Sequence, residues 1–310
     1  MTQRIVVLAG ASGFIGRHLR RRFSEEGWEV RQIGRGTQPG WGDTTGLSEL
    51  LEGSDLLVNL AGKSVSCRYN SENKALIRSS RTETTAELGK AIAGCATPPR
   101  DWFNASTGTI YRHAEDRPQS EDDGELGAGF SVEVAKAWEA ELSAASTPHT
   151  RKIPLRMSIV MGPAGRGSAR KGPGGAGVMR PFEILSRCGL GGSMGEGSQK
   201  YSWIHVEDVF RAVLFIHEHP ELQGAINLAA PQVVENRELM RQVRAALRIP
   251  FGLPTPRWLL SFGAVVIRTE TELVLKSRWV APEKLRAAGF SWRYPELSSA
   301  LGAIREAEHR

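Results

Sequence analysis

The chain has 310 residues, 40% apolar and 24% charged, which suits one large or two modest globular domains with substantial cores. Its net charge of +6 is spread along the chain with no run of five Lys or Arg, arguing against a nucleic-acid-binding protein, and no apolar run reaches the ~20 residues of a membrane span. Cys67, Cys95 and Cys188 form no CxxC pair, so neither a disulfide framework nor a metal site is expected, and reduced thiols in a cytoplasmic protein are.

"RIVVLA" (4–9) is a β-branched apolar run, hence a buried strand. "SGFIGRHLRRRFSEEG" (12–27) is helical, with Ile15, Leu19 and Phe23 on one face and Gly27 as its stop. "EVRQI" (29–33) and "DLLVNLAG" (55–62) are the next strands, the latter apolar on both faces. A helix from about Glu72 to Ala93 turns Leu76, Leu88 and Ile92 inward. "DWFNAS" (101–106) is a strand, 132–145 a helix and "IPLRMSIVMG" (153–162) a strand. This alternation predicts an α/β fold, a Rossmann-type doubly wound parallel sheet. Residues 163–200 form a Gly-rich excursion with one short helix near 178–187. Regular elements then resume, with a helix at 206–218 and a strand at 225–229. From 231 the pattern is mainly helical, at 235–247, 256–267, 282–288 and 294–308. The expected organisation is a dinucleotide-binding domain over 1–230 and a small helical cap over 231–310. The 163–200 excursion joins the cap over the carboxyl ends of the strands, and its 163–177 part acts as a lid.

"GASGFIG" sets Gly10, Gly13 and Gly16 at GxxGxxG spacing between a strand and a helix. Two glycines let the backbone approach a pyrophosphate, the third lets helix and strand pack closely, and the helix start favours negative charge. Ser12, Phe14 and Ile15 lie in the same turn. An NAD site usually ends the second strand with Asp or Glu, whereas "VRQIGRG" ends with Gly34 and Arg35, and Arg17 follows the third glycine. A guanidinium suits a 2′-phosphate, so the expected cofactor is NADP(H).

"GASGFIG", "NLAG" (59–62), "SSRTETT" (79–85), "GLGGSMGEGSQKYSWIHVEDV" (189–209), "INLAAPQVVEN" (226–236) and "RWVAPEKLRAAGF" (278–290) follow in order. Together they resemble the atypical short-chain dehydrogenase/reductase family 39U, also called epimerase-family proteins, over nearly the whole chain. The resemblance implies NADP binding and an unassigned substrate. It places Leu60, Ala61 and Gly62 along the cofactor cleft, Arg81 and Ser106 beside it, and Met157, Ser158, Ile159 and Val160 near the nicotinamide. The Gly-rich stretch at 163–177 is longer than the family's usual segment there.

Extended short-chain reductases pair a Ser or Thr with a Tyr and a Lys four residues later, whose charge makes the Tyr a usable acid. The four tyrosines, Tyr69, Tyr111, Tyr201 and Tyr294, are followed at that spacing by Asn73, Glu115, His205 and Ser298, so no such pair exists. Phe130 and Val134 occupy the matching positions, and Lys136 lies two residues further on, on another helix face. The candidates for the chemistry are Thr107, Tyr111 and Tyr201, the last returning to the cleft from the substrate side. His205 serves as a further candidate or as a structural residue at a helix start. Two functions fit: an NADP(H)-dependent oxidoreductase or epimerase-like enzyme acting on a small carbonyl or hydroxyl compound, or a non-catalytic NADP(H) sensor. The expected partner is a small molecule, with a homodimer left open.

Overall fold

The structure, a computed structural model, describes residues 3–163, 179–255 and 276–309. The helix at 256–267 and the lid at 163–177 lie outside those residues. Six strands form one parallel sheet: β1 (Ile5–Ala9), β2 (Glu29–Ile33), β3 (Leu56–Asn59), β4 (Asp101–Thr107), β5 (Arg151–Met157) and β9 (Ile226–Leu228), in the order β2-β1-β3-β4-β5-β9.

Alternation along the strands explains the layers. Val6 and Leu8 face one side, with Leu19 and Phe23 of α1 (Phe14–Glu25) and Phe210 and Val213 of α6 (Val206–Glu218). Val7 and Ala9 face the other, with Leu47 of α2 (Thr44–Leu51), Leu88 of α3 (Ser71–Ala93) and Leu142 of α4 (Phe130–Ala144). Both faces are covered, as a parallel sheet requires. Strand order reverses between β1 and β3, and ligands in such sheets bind outside the carboxyl ends at that point.

A second core lies beyond the carboxyl end of β5. The expected single strand over 153–162 is interrupted at Ser158, and β6 (Ile159–Met161) leaves the sheet to pair with β8 (Trp203–His205). β7 (Lys200–Tyr201) pairs with β10 (Val234–Glu235). Met161, Tyr201 and Trp203 pack with Phe182 of α5 (Met179–Arg187), Leu239 of α7 (Asn236–Ala246) and Leu301 of α9 (Leu297–His309). Between α7 and α9, α8 (Glu283–Ala287) packs on the main core through Leu285.

The predicted inward face of α3 needs one correction. Leu76 is exposed and Ile77 is buried, a rotation of about 100°. The short elements α2 and β10, and the 3-10 turn at Gly108–Ile110, carry too little periodicity to predict. Asp43 capping α2, through its carboxylate and the Gly46 N–H at 2.9 Å, is the signal that could have found the first of them.

Candidate ligand cleft

The cleft begins at the turn after β1. Gly10 has φ +80°, and a Cβ there would lie 2.8 Å from the carbonyl carbon of Leu60. A Cβ on Gly16 would collide with the Gly10 carbonyl oxygen and lie 2.7 Å from the Ala11 Cα. Gly13 is the residue before α1 and provides no side-chain cap, so the first N–H groups of the helix face outward without an intrahelical partner. This is an empty cradle of backbone donors with the positive end of a helix behind it. The side chain of Phe14 would lie 3.1 Å from a Cβ on Gly162, so the turn also touches the start of the second core.

Two arginines border the turn. Arg17 Nη1 donates to the Ser12 carbonyl at 2.6 Å, which folds the side chain back over the turn. Arg35 is exposed just beyond β2, in a turn closed by the Gly34 N–H donating to Thr37 Oγ1 at 3.0 Å. Among the described residues it makes neither an ion pair nor a hydrogen bond. On the opposite wall, the Ala61 N–H donates to Asn59 Oδ1 at 3.0 Å, which fixes Leu60 and Ala61 against Gly10. Across the sheet, Thr107 ends β4 and its register partner Met157 ends β5. Ser158 Oγ is buried without a hydrogen-bond partner, and Ile159 and Val160 follow it, half buried, in β6.

The three candidate hydroxyls separate sharply. Thr107 is half buried, and its oxygen accepts from the Thr109 N–H at 3.1 Å, leaving its own proton uncommitted. Tyr111 is 1% exposed, donates to Asn227 Oδ1 at 2.9 Å and accepts from Arg156 Nη1 at 2.9 Å. Burial raises its pKa against the opposing effect of Arg156. Tyr201 does not reach the cleft as expected. It lies in the second core, where burial drives its pKa up and Asn236 binds the hydroxyl. The extended "YSWIH" segment is real, but its Tyr and Trp face the small core.

Ser106 is likewise committed: its hydroxyl donates to Glu139 Oε1 at 2.5 Å. Glu139 takes a two-pronged contact from Arg156, at 2.9 and 2.8 Å. Asn227 in turn receives its place from Glu121, whose carboxylate accepts the Asn227 N–H at 2.9 Å and the Glu283 N–H at 3.1 Å. This network ties β4, α4, β5, β9 and α8 together behind Thr107. Its signal in the sequence was Arg156 in an otherwise apolar strand, a charge that must find a partner.

On α4, Val134 and Trp138 are buried and Phe130 is half buried, on the face toward α3. The Phe130 ring meets Tyr69 edge-on at 5.0 Å, and Lys74 Nζ stands 5.4 Å from its centre. Lys136 points away and donates to the Gly127 carbonyl at 3.2 Å. His205 caps α6: its Nδ1 accepts the Glu207 N–H at 3.1 Å and its ring lies 4.2 Å from that of Tyr294. This is the structural role at a helix start.

Burial, with His18 nearby, pushes His205 down from 6.5 to about 4. The folded state therefore resists protonation that the unfolded chain accepts. Stability contributed by neutral His205 is present above pH ~6.5 and lost as pH falls toward ~4, on the order of 3 kcal/mol in all. His205→Asn keeps a capping oxygen and should flatten the urea-midpoint slope across that window. An unchanged slope would assign the pH dependence elsewhere.

The model of the NAD dependent epimerase/dehydratase family matches residues 6–229, from β1 to just past β9. The chain belongs to this family. Residues 255–304 match a domain of unknown function, DUF1731. The epimerase family protein SDR39U1 of Bos taurus is 32% identical, over 96% of this chain and 99% of its own length. The epimerase family protein YfhF of Bacillus subtilis is 26% identical, over 96% and 97%. The crystal structure of human SDR39U1 with NADPH superimposes with a TM-score of 0.84 at 29% identity, covering 97% of this chain and 99% of that one. Family membership accounts for the parallel sheet and glycine turn. Among the described residues, no helix is long and apolar enough to cross a membrane.

Proposed function

We propose that the chain is an NADP(H)-dependent oxidoreductase or epimerase-like enzyme acting on a small carbonyl or hydroxyl compound. The observation that carries this is the uncapped start of α1 at the reversal of strand order, with Arg35 standing ion-pair-free beside it. The cradle fits a dinucleotide phosphate because added Cβ atoms would fill it. Gly10, Gly13, Gly16 and the first N–H groups of α1 would hold the pyrophosphate. Arg35 would hold the 2′-phosphate, with Arg17 on the turn's flank. The cofactor supplies a hydride when bound. Thr107 donates a hydrogen bond to the oxygen on which negative charge develops, while Leu60, Ala61 and Met157 keep water from the walls. The NADPH in the human SDR39U1 structure supports the cofactor assignment.

In a fluorescence titration, NADPH should bind more tightly than NADH. Arg35→Asp should weaken NADPH by about ten- to a hundredfold and NADH much less, the loss expected for one charge-assisted contact. Equal affinity of the unaltered protein for both cofactors would refute the assignment to NADP. A carbonyl-compound screen following NADPH oxidation tests the enzyme. Tight binding with no turnover across the screen would favour a dinucleotide-sensing protein instead, a reading supported by the sealed hydroxyls of Tyr111 and Tyr201.

A further inference from the structure

Residues 63 to 81 contain five cations, Lys63, Arg68, Lys74, Arg78 and Arg81, and one acid, Glu72. Among the described residues none of the five forms an ion pair. Elsewhere even exposed arginines are matched, as with Arg112 and Asp116 at 2.7 Å or Arg241 and Glu238 at 2.6 Å. Unmatched like charges gathered on one stretch repel one another unless a ligand supplies the counter-charge.

Their position is defined by α3. Arg81 lies against Gly62, where an added Cβ would be 3.1 Å from its guanidinium carbon, and the Lys63 N–H donates to Ser80 Oγ at 2.9 Å. Gly62 follows Ala61, which abuts the Gly10 turn. Arg81 is therefore level with the carboxyl end of β3. The ten residues of α3 before it add about 15 Å of helix beyond the sheet. Lys74 and Arg78 ride on that projecting part, and Lys63 and Arg68 lie in the loop leading to it.

Arg81 is built as an anchor. Its Nη1 donates to the carbonyls of Lys63 at 3.1 Å and Ile77 at 2.9 Å, and its guanidinium lies 5.0 Å from the centre of the Trp138 ring. Nε and Nη2 make no hydrogen bond in the described structure. Burial lowers its pKa to about 10 despite the opposing influence of Tyr69, so the charge sits where water solvates it poorly. Trp138 is one helical turn beyond Val134, on the face where the sequence lacks a lysine.

We propose that Arg81 and its cationic rim bind an oxyanion of the substrate, a carboxylate or a phosphate, so that the enzyme acts on an acidic small molecule. This rests on the dinucleotide reading only for the identity of the second ligand in the cleft. Nε and Nη2 of Arg81 present a forked pair of donors to the anion, and Lys63 and Lys74 raise the local potential that attracts it.

The test uses the protein saturated with NADPH, titrated separately with inorganic phosphate and with malonate at ionic strength held constant by sodium chloride. Ligand-linked thermal stabilisation is the readout. One or both anions should stabilise the unaltered protein. Arg81→Gln should weaken that anion by about tenfold or more, with NADPH affinity changed less than twofold. Which anion responds distinguishes a phosphate from a carboxylate substrate. Arg81→Lys, which keeps the charge and loses the fork, should retain part of the effect and confirms that the site still folds. The proposal is overturned if neither anion stabilises the unaltered protein, if both act equally on Arg81→Gln, or if that variant weakens NADPH as much as the anion. Should NADPH itself fail to bind, the dinucleotide reading falls, and the same titrations on the free protein still decide the role of Arg81.

Discussion

Glu139→Ala is expected to destabilise the protein by about 3–5 kcal/mol, because it strands a largely buried guanidinium. The Arg156 and Glu139 side chains are only 11% and 16% exposed. Burial opposes the charge on Arg156, yet contacts with Glu139 and Tyr111 hold its pKa above the ordinary value. Removing the carboxylate also frees Ser106, whose proton has no other printed acceptor. Chemical denaturation of the variant measures the loss. A Glu139→Leu/Arg156→Met double variant should recover most of it, since an apolar pair has no charge to strand. A loss below ~1 kcal/mol for Glu139→Ala would mean that water reaches Arg156 and the network is ornamental to stability.

Thr107→Ala is expected to lower kcat/KM for NADPH-linked carbonyl reduction by about 10²–10³, the usual loss of one donor to a developing oxyanion. NADPH affinity should stay within about twofold, since Thr107 lies on β4 rather than at the glycine turn. Thr107 is chosen because its proton is uncommitted while both candidate tyrosines are sealed by their own hydrogen bonds. Parallel kinetics and fluorescence titrations separate the two effects. Full activity in the variant would remove Thr107 from the chemistry and leave the cofactor assignment standing.

The sheet and the glycine turn were legible because their signals are local. β1 and β2 are short apolar runs beside turn residues, and α6 occupies the predicted span from Val206 to Glu218. Gly10, Gly13 and Gly16 carry their meaning in spacing and in the strand before them. What the sequence concealed depends on long-range placement. Nothing near Tyr201 announces that its hydroxyl meets Asn236 inside the second core. Nothing near Tyr111 announces Asn227, a hundred and sixteen residues away. The break at Ser158 escaped notice because β5 and β6 are both apolar, and only the partner strand reveals that they belong to different sheets. The cationic stretch from Lys63 to Arg81 was in plain view. Its significance needed the knowledge that no carboxylate comes back to meet it.

The second core has a consequence for how such chains can be cut and recombined. It draws Met161, Phe182 and Trp203 from the middle of the chain and Leu239, Leu301 and Ile304 from its later part. Neither group is a self-sufficient apolar body, and a fragment ending at 230 would present half of an interior to solvent. Grafting the final eighty or so residues from one relative onto another would therefore pair two surfaces that never adapted to each other. A recombination that preserves the fold must carry the stretch from β6 to β8 along with the carboxyl-terminal residues. Two separated parts of the gene thus form one heritable packing unit.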